Sequence, residues 1–350
     1  MFDSTEEAVE ALEPYLGPEE TAAVTQALIP AIQLQPLATT SRPGESRLGG
    51  VPDLPAGSDW PRPSAPEDPE AIARRGNDDA AAEMRAHFKA ALPYAFIAQI
   101  DLEQAAACPA ATSLPQQGRL LFFYDMAVGP WESGTRVARV IWDDSPRDRL
   151  RPLPMPDDLA EAAQRERHER QAIQAQFGSP SVGAPGGTNY HAEARTIQLQ
   201  GTLRLPLPAA LEMDTLPHLY AFYHGETADD DTAELADAYD QALEELGLNY
   251  PEPGWRRHQL LGSPQPEQSD PRYDAVLITH FEKPFLDRAD WDQHRARIGS
   301  LARQWRLLLQ VDLSDWMQDS LTEGTVYFLI HQDDLAAHRF DGVMAVYQQT

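Results

Sequence analysis

Two seven-residue stretches, FIAQIDL at Phe96–Leu102 and LLLQVDL at Leu307–Leu313, share one pattern. Each is an apolar strand interrupted by a glutamine and, two places on, by an aspartate. At a period of two, Gln99 and Asp101 fall on one face, as do Gln310 and Asp312. A buried amide or carboxylate is costly unless it is hydrogen-bonded, so the pattern demands partners. The resemblance extends beyond these strands. Gly50-Val51-Pro52 answers Gly262-Ser263-Pro264, and GRLLFFYD from Gly118 answers GTVYFLIH from Gly324. The offsets are 212, 211 and 206 residues. Three anchors in one order at nearly one offset indicate an internal duplication, which is best sought before any other feature. The expected fold is α+β and sheet-dominated: two duplicated β-rich halves related by a pseudo-two-fold, with N-terminal helices and inserted surface helices. The expected division is a helical segment over 1–40, a first β-rich half with helical inserts over 41–215, and a second half over 216–350. The halves form one compact body.

Local signals fill in this frame. Ser4 and Glu7 make a capping box, and a second helix is expected from about Glu19 to Ile29. Charged, helix-like inserts run over about 68–92 and 156–177, and 178–187 has the composition of a mobile loop. Strands are expected at 94–102, 119–124, 136–142, 203–205, 219–223, 306–313, 325–330 and 342–348. Leu235, Ala238, Tyr239, Ala242 and Leu246 share one helical face that ends at Gly247, and another helix spans about 290–303.

Composition narrows the function. An apolar fraction of 42% over 350 residues is ample for a core, and no apolar run approaches the roughly 20 residues of a membrane helix. The acidic, amphipathic start is unlike a signal peptide, and Cys108 is the only cysteine, so the expected compartment is the cytoplasm. A formal charge of −27 argues against nucleic acid and anionic membranes as partners. It suits capture of a basic protein. Compositional bias is the plain alternative, since Lys occurs only at Lys89 and Lys283.

No complete catalytic set is present. RLGGVPDLP, with Gly49 and Gly50, lacks the strand–glycine–helix setting that cradles phosphate. It reads as a shaped loop followed by the packing residue Trp60, with Arg47 placed to pair a carboxylate, either Asp53 or one from the other half. No G-x-S-x-G elbow occurs, and Cys108 has no nucleophile motif. His331, Asp333, Asp334 and His338 form an incomplete metal set, more simply read as a helix start capped by Asp333 or Asp334. Asp229–Asp231 reads as acid before a helix N-terminus. Asp101 and Asp312 are the one candidate carboxylate pair across the pseudo-axis. Gln99 and Gln310 either join the halves or line a cleft between them. No cofactor and no metal is expected.

The stretches SRLGGVPDLPAGSDWP (Ser46–Pro61), YAFIAQIDL (Tyr94–Leu102), LPQQGRLLFFYD (Leu114–Asp125), HQLLGSPQPEQ (His258–Gln268), WRLLLQVDL (Trp305–Leu313) and GTVYFLIHQDDLAAHRFDGV (Gly324–Val343) together resemble the YwqG-like family. This bacterial family has no established reaction. The resemblance covers nearly all of the chain beyond about residue 40, and it implies an α+β, internally duplicated fold. The family's Trp-Gly-Asp-x-Gly-like stretch is spread here over Trp316, Asp319 and Gly324. The expected function is a non-catalytic protein-binding module, of an immunity type that docks on a basic toxin. The alternative is an enzyme or small-ligand binder using the cleft between the halves, lined by Arg47, Gly49, Gly50, Trp60, Gln99, Asp101, Gln310 and Asp312.

Overall fold

A computed structural model of the chain describes residues 1–177, 186–281, 283, 285–319 and 322–349. The strands are β1 (Ile29–Pro36), β2 (Arg47–Leu48), β3 (Asp53–Pro55), β4 (Ala95–Asp101), β5 (Arg119–Tyr124), β6 (Ala138–Asp143), β7 (Leu150–Pro152), β8 (Arg195–Arg204), β9 (Gln259–Leu260), β10 (Trp305–Asp312), β11 (Thr325–His331) and β12 (Met344–Gln348). Ten of them form one sheet in the order β12-β11-β10-β9-β1-β8-β2-β4-β5-β6, while β3 and β7 pair separately. Every pairing is antiparallel. The fold is α+β and sheet-rich.

The sheet curls until its edges nearly meet. Gly134, just before β6, exchanges both backbone hydrogen bonds with Ala345 of β12, at 2.9 and 3.1 Å. Inside, Phe122 on β5 meets Phe328 on β11 edge to face at 5.3 Å, so one apolar core is shared by strands from both ends of the chain. Closure protects strand edges that would otherwise template pairing with other chains. Two β-bulges assist the curl, with Ile97 the extra residue in β4 and Leu308 in β10.

Residues 1–40 are not wholly helical. Helices occupy Thr5–Leu12 and Pro18–Gln26, but β1 then enters the centre of the sheet between β8 and β9. Its alternation of Ile32 and Leu34 with Gln33 and Gln35 is a strand signal, masked in the sequence by the flanking prolines 30 and 36. The strand expected at 219–223 is instead the helix Pro217–Tyr223. Pro217 presets the first helical turn, and Tyr220 stacks on His224 one turn later at 3.9 Å. The inserts are helical as expected, at Pro69–Ala73, Asp78–Ala90 and Asp157–Phe177, and Asp68 and Asn77 cap the first two. Of the loop expected over 178–187, residues 178–185 lie outside the described residues. Among the described residues, no helix is long and apolar enough to cross a membrane.

A separate helical layer covers one side of the sheet. The helices Thr5–Leu12 and Pro18–Gln26 pack against Asp230–Glu245 through Leu12, Leu16, Val24, Tyr239 and Leu243. Tyr15 ties them together by donating to Glu245 at 2.9 Å.

Candidate functional site

The polar strand residues close on themselves. Gln99 is fully buried; its Oε1 accepts from the backbone N–H of Asp53 at 2.9 Å, and its Nε2 donates to the Glu45 carbonyl at 3.0 Å. Gln310 does the same, accepting from Gln265 N–H and donating to the Arg257 carbonyl, both at 2.9 Å. Each amide therefore satisfies two backbone groups of the loop beside its own strand, the use to which a donor–acceptor side chain is suited. Neither joins the two parts of the chain, and they share no partner. The aspartates do not meet as a pair either. Asp101 ends β4, caps the turn through Glu103 N–H at 3.2 Å and binds Arg147. Asp312 ends β10, accepts from Asp315 N–H at 2.7 Å and is held by Arg257 through Nε at 2.8 Å and Nη2 at 2.6 Å. No acid–base dyad forms among these four residues.

The contacts that join the two parts of the chain come from elsewhere. Trp316, fully buried on the short helix Leu313–Met317, donates its indole N–H to the carbonyl of Ile97, the bulged residue of β4, at 2.9 Å. Arg195 of β8 holds Asp315 at 2.8 Å, and His258 reaches the same carboxylate oxygen at 2.6 Å. Burial alone would raise Asp315, but His258 and Arg195 hold its carboxyl well below the usual range. Only the indole was visible beforehand, as part of a dispersed motif.

The glycine loop is a backbone device. Gly49 and Gly50 have φ of 65° and 74°. A Cβ on Gly49 would sit 2.6 Å from the Glu193 carbonyl, so the loop lies flat against 192–194 as only glycine allows. Arg47 on β2 pairs with Asp53 at 2.7 Å, and Asp53 also takes the Gly44 N–H at 2.7 Å. Burial would raise the Asp53 carboxyl, but Arg47, the Gly44 amide and Gln99 together hold it below its ordinary value. Trp60 is a packing residue: it donates to the Tyr94 carbonyl at 2.8 Å and meets Phe123 edge to face at 5.9 Å. Of the eight expected site residues, Arg47 and Gly50 line one shallow cavity of about 330 Å³, together with Asp53, His191 and Glu193. Gly49, Trp60, Gln99, Asp101, Gln310 and Asp312 are not in its lining.

Other titratable groups are mostly sequestered. His87 Nε2 lies 3.1 Å from Asp125 Oδ1, with both side chains buried. Burial pushes the Cys108 thiol above its ordinary value, opposite to what a nucleophile needs. Asp334 binds Arg339 at 2.6 Å rather than grouping with His338, and the helix Gln332–Ala336, which contains Asp333 and Asp334, is capped by His331 and not by either aspartate. Among the described residues, no group of three or more His, Cys, Asp or Glu could hold a metal ion.

The remaining distinctive feature is charge. Residues 1–41 carry seven acids, and residues 205–255 carry twelve, with no Lys or Arg in either stretch. These stretches supply the helical layer, where Glu6, Glu10, Glu13, Glu19, Asp230, Asp231, Glu234, Asp237, Asp240 and Glu244 are all exposed. Between its first two helices lies a groove of about 550 Å³, with Val9, Leu16 and Ala22 in its lining and Glu13 beside them.

No curated protein matches this chain. A family model described as a domain of unknown function (DUF1963) matches residues 46–348. That match takes in both glycine loops, both glutamine strands and the two pairs of strands that close the sheet, and the chain belongs to this family of unknown function.

Proposed function

We propose that this chain is a non-catalytic binding protein that docks a basic protein partner on its acidic helical layer, in the manner of an immunity protein neutralising a toxin. The observation that carries the reading is the layer itself: twelve acids and no Lys or Arg on its three helices, flanking an apolar-lined groove. A field of one sign raises the encounter rate with an opposite charge, and an apolar groove supplies the contact area that charge alone lacks. The closure of Gln99, Asp101, Gln310 and Asp312 into structural hydrogen-bond sets supports a role without catalysis. The test is a pull-down from the native host's lysate with the wild-type chain and with a variant carrying Glu6, Glu10, Glu13, Asp230, Asp231 and Glu234 as their amides. The expected result is a basic toxin that the wild type captures and inhibits and the variant does not. Enrichment of no basic protein overturns the reading.

Within the same reading, the chain is YwqG-like and its halves are duplicates related by a pseudo-two-fold. Strand order supports this: from the two edges inward it runs β12, β11, β10, β9, β1 and β6, β5, β4, β2, β8. The bulges at Ile97 and Leu308 are 211 residues apart, and the partners of the two glutamines, Asp53 with Gln265 and Glu45 with Arg257, are each 212 apart. β1 and β8 are then counterparts, each pairing with the short strand of the other half. The repeats begin near residues 29 and 195 rather than 41 and 216. A second reading, small-ligand binding between the halves, draws on a cavity at the β1–β8 pair rather than on the residues first expected there.

A further inference from the structure

Among the described residues five arginines are buried, and four carry their own carboxylate: Arg47 with Asp53, Arg119 with Asp143, Arg257 with Asp312 and Arg272 with Asp270. Arg204, at the end of β8 and 5% exposed, has none among the described residues. Its Nη2 donates to Gln33 Oε1 at 2.8 Å and to the Arg256 carbonyl at 2.9 Å, while its buried Nε has no partner. Burial without a counter-charge draws the guanidinium down to about 10. In a chain with 55 acids and 28 basic residues, a buried arginine without a carboxylate is an exception that needs a cause, because an uncompensated buried charge is strongly unfavourable.

Its surroundings supply a place for the missing charge. Gln33 and Gln35 on β1 and Gln200, Thr202 and Arg204 on β8 project from one face by the period of two, with Gln33 opposite Gln200 in register. A cavity of about 220 Å³ opens beside them, with Met1, Gln33, Gln200, Thr202 and Arg256 in its lining, while Arg204 is not in the lining and reaches it through Gln33, to which its Nη2 donates. Arg256 is exposed and likewise makes no ion pair among the described residues. The space equals about seven water molecules at ~30 Å³ each. Asp3 and Glu7 also reach the rim, but Asp3 Oδ1 accepts from Gln200 Nε2 at 3.1 Å and Glu7 Oε2 accepts from Asp3 N–H at 2.5 Å. Neither lies within ion-pair distance of a guanidinium.

We propose that this cavity binds a small oxyanion, a carboxylate or phosphate group, with Arg256 in its lining and Arg204, held behind it by Gln33, together supplying the positive charge. Arginine suits the task because its planar fork matches both groups. Two acids on the rim favour one small anion over a polyanion. The inference does not depend on any protein partner.

The test is calorimetric titration of the full chain at low ionic strength with inorganic phosphate and, separately, with succinate, against sodium chloride at matched ionic strength. Saturable one-to-one binding of either probe at up to millimolar concentration, absent with chloride, is the expected result; the probe that binds identifies phosphate or carboxylate as the recognised group. Arg256→Met, at an exposed position, weakens binding by about tenfold or more, the loss expected of one charge-assisted hydrogen bond. Arg204→Met abolishes binding, and if that variant does not fold, Arg256→Met decides alone. No saturable heat with either probe, or binding unchanged in Arg256→Met, overturns the proposal.

Discussion

Gln99 and Gln310 show how a polar residue in an apolar strand can serve the backbone rather than chemistry. Each satisfies one N–H and one carbonyl of the adjoining loop. Replacing either with leucine keeps the volume but orphans both groups, and Gln99→Leu is expected to cost about 2–3 kcal/mol in urea unfolding. Because the two sets share no residue and lie five strand positions apart in the sheet, the double variant should be additive to within about 0.5 kcal/mol. Marked non-additivity would restore the idea that these residues join the halves. Asp274 makes a pH prediction. Burial raises its carboxyl to about 6 against the opposing pull of Gln348, and Asp270 adds to the rise. A carboxyl raised in the folded state binds its proton more tightly there, so the folded form loses stability as pH climbs from about 4 through about 6. Asp274→Asn should therefore stabilise by about 1–2 kcal/mol at pH 7.5, allowing for partial exposure, and by almost nothing at pH 4. Equal effects at both values would refute it.

At the level of elements, the short helix Leu313–Met317 does more than end β10. It delivers Trp316 to the carbonyl of the Ile97 bulge, which also accepts from Gly49 N–H at 2.9 Å. One irregular residue in β4 thus anchors both the glycine loop and the far part of the chain. Trp316→Phe keeps most of the ring but removes the donor, and should cost about 1–2 kcal/mol; Trp316→Ala should cost about 3–5 kcal/mol. Denaturant midpoints would measure both, and a loss below about 0.5 kcal/mol for the alanine variant would show that this contact is dispensable. The strands β4, β5, β10 and β11 were readable because a period of two is visible in sequence. β1 was not, since Pro30 and Pro36 punctuate it and its pairing depends on β8 and β9, which lie some 165 and 225 residues further along. The helix Pro217–Tyr223 was misread for a related reason: a short apolar run has no period of its own, and packing chooses its form.

For the whole molecule, charge is the property with the widest reach. Twelve of the acids lie on the three helices of a single layer, so binding of a basic partner there should be strongly salt-dependent. Raising salt from about 50 to 300 mM should slow association at least about tenfold, with little change in the dissociation rate. An association rate indifferent to salt would remove the acidic layer from the mechanism. The sequence by itself determined the α+β class, the two glutamine strands and the large acidic excess, because periodicity, repetition and charge are properties of order along the chain. The tertiary structure alone decided that Gln99, Asp101, Gln310 and Asp312 are closed off, that β1 belongs at the centre of the sheet, and that Arg204 lies buried beside a cavity without a carboxylate. Partners of buried polar groups come from residues distant in sequence, and whether a side chain faces another residue or a cavity is settled only when the sheet closes.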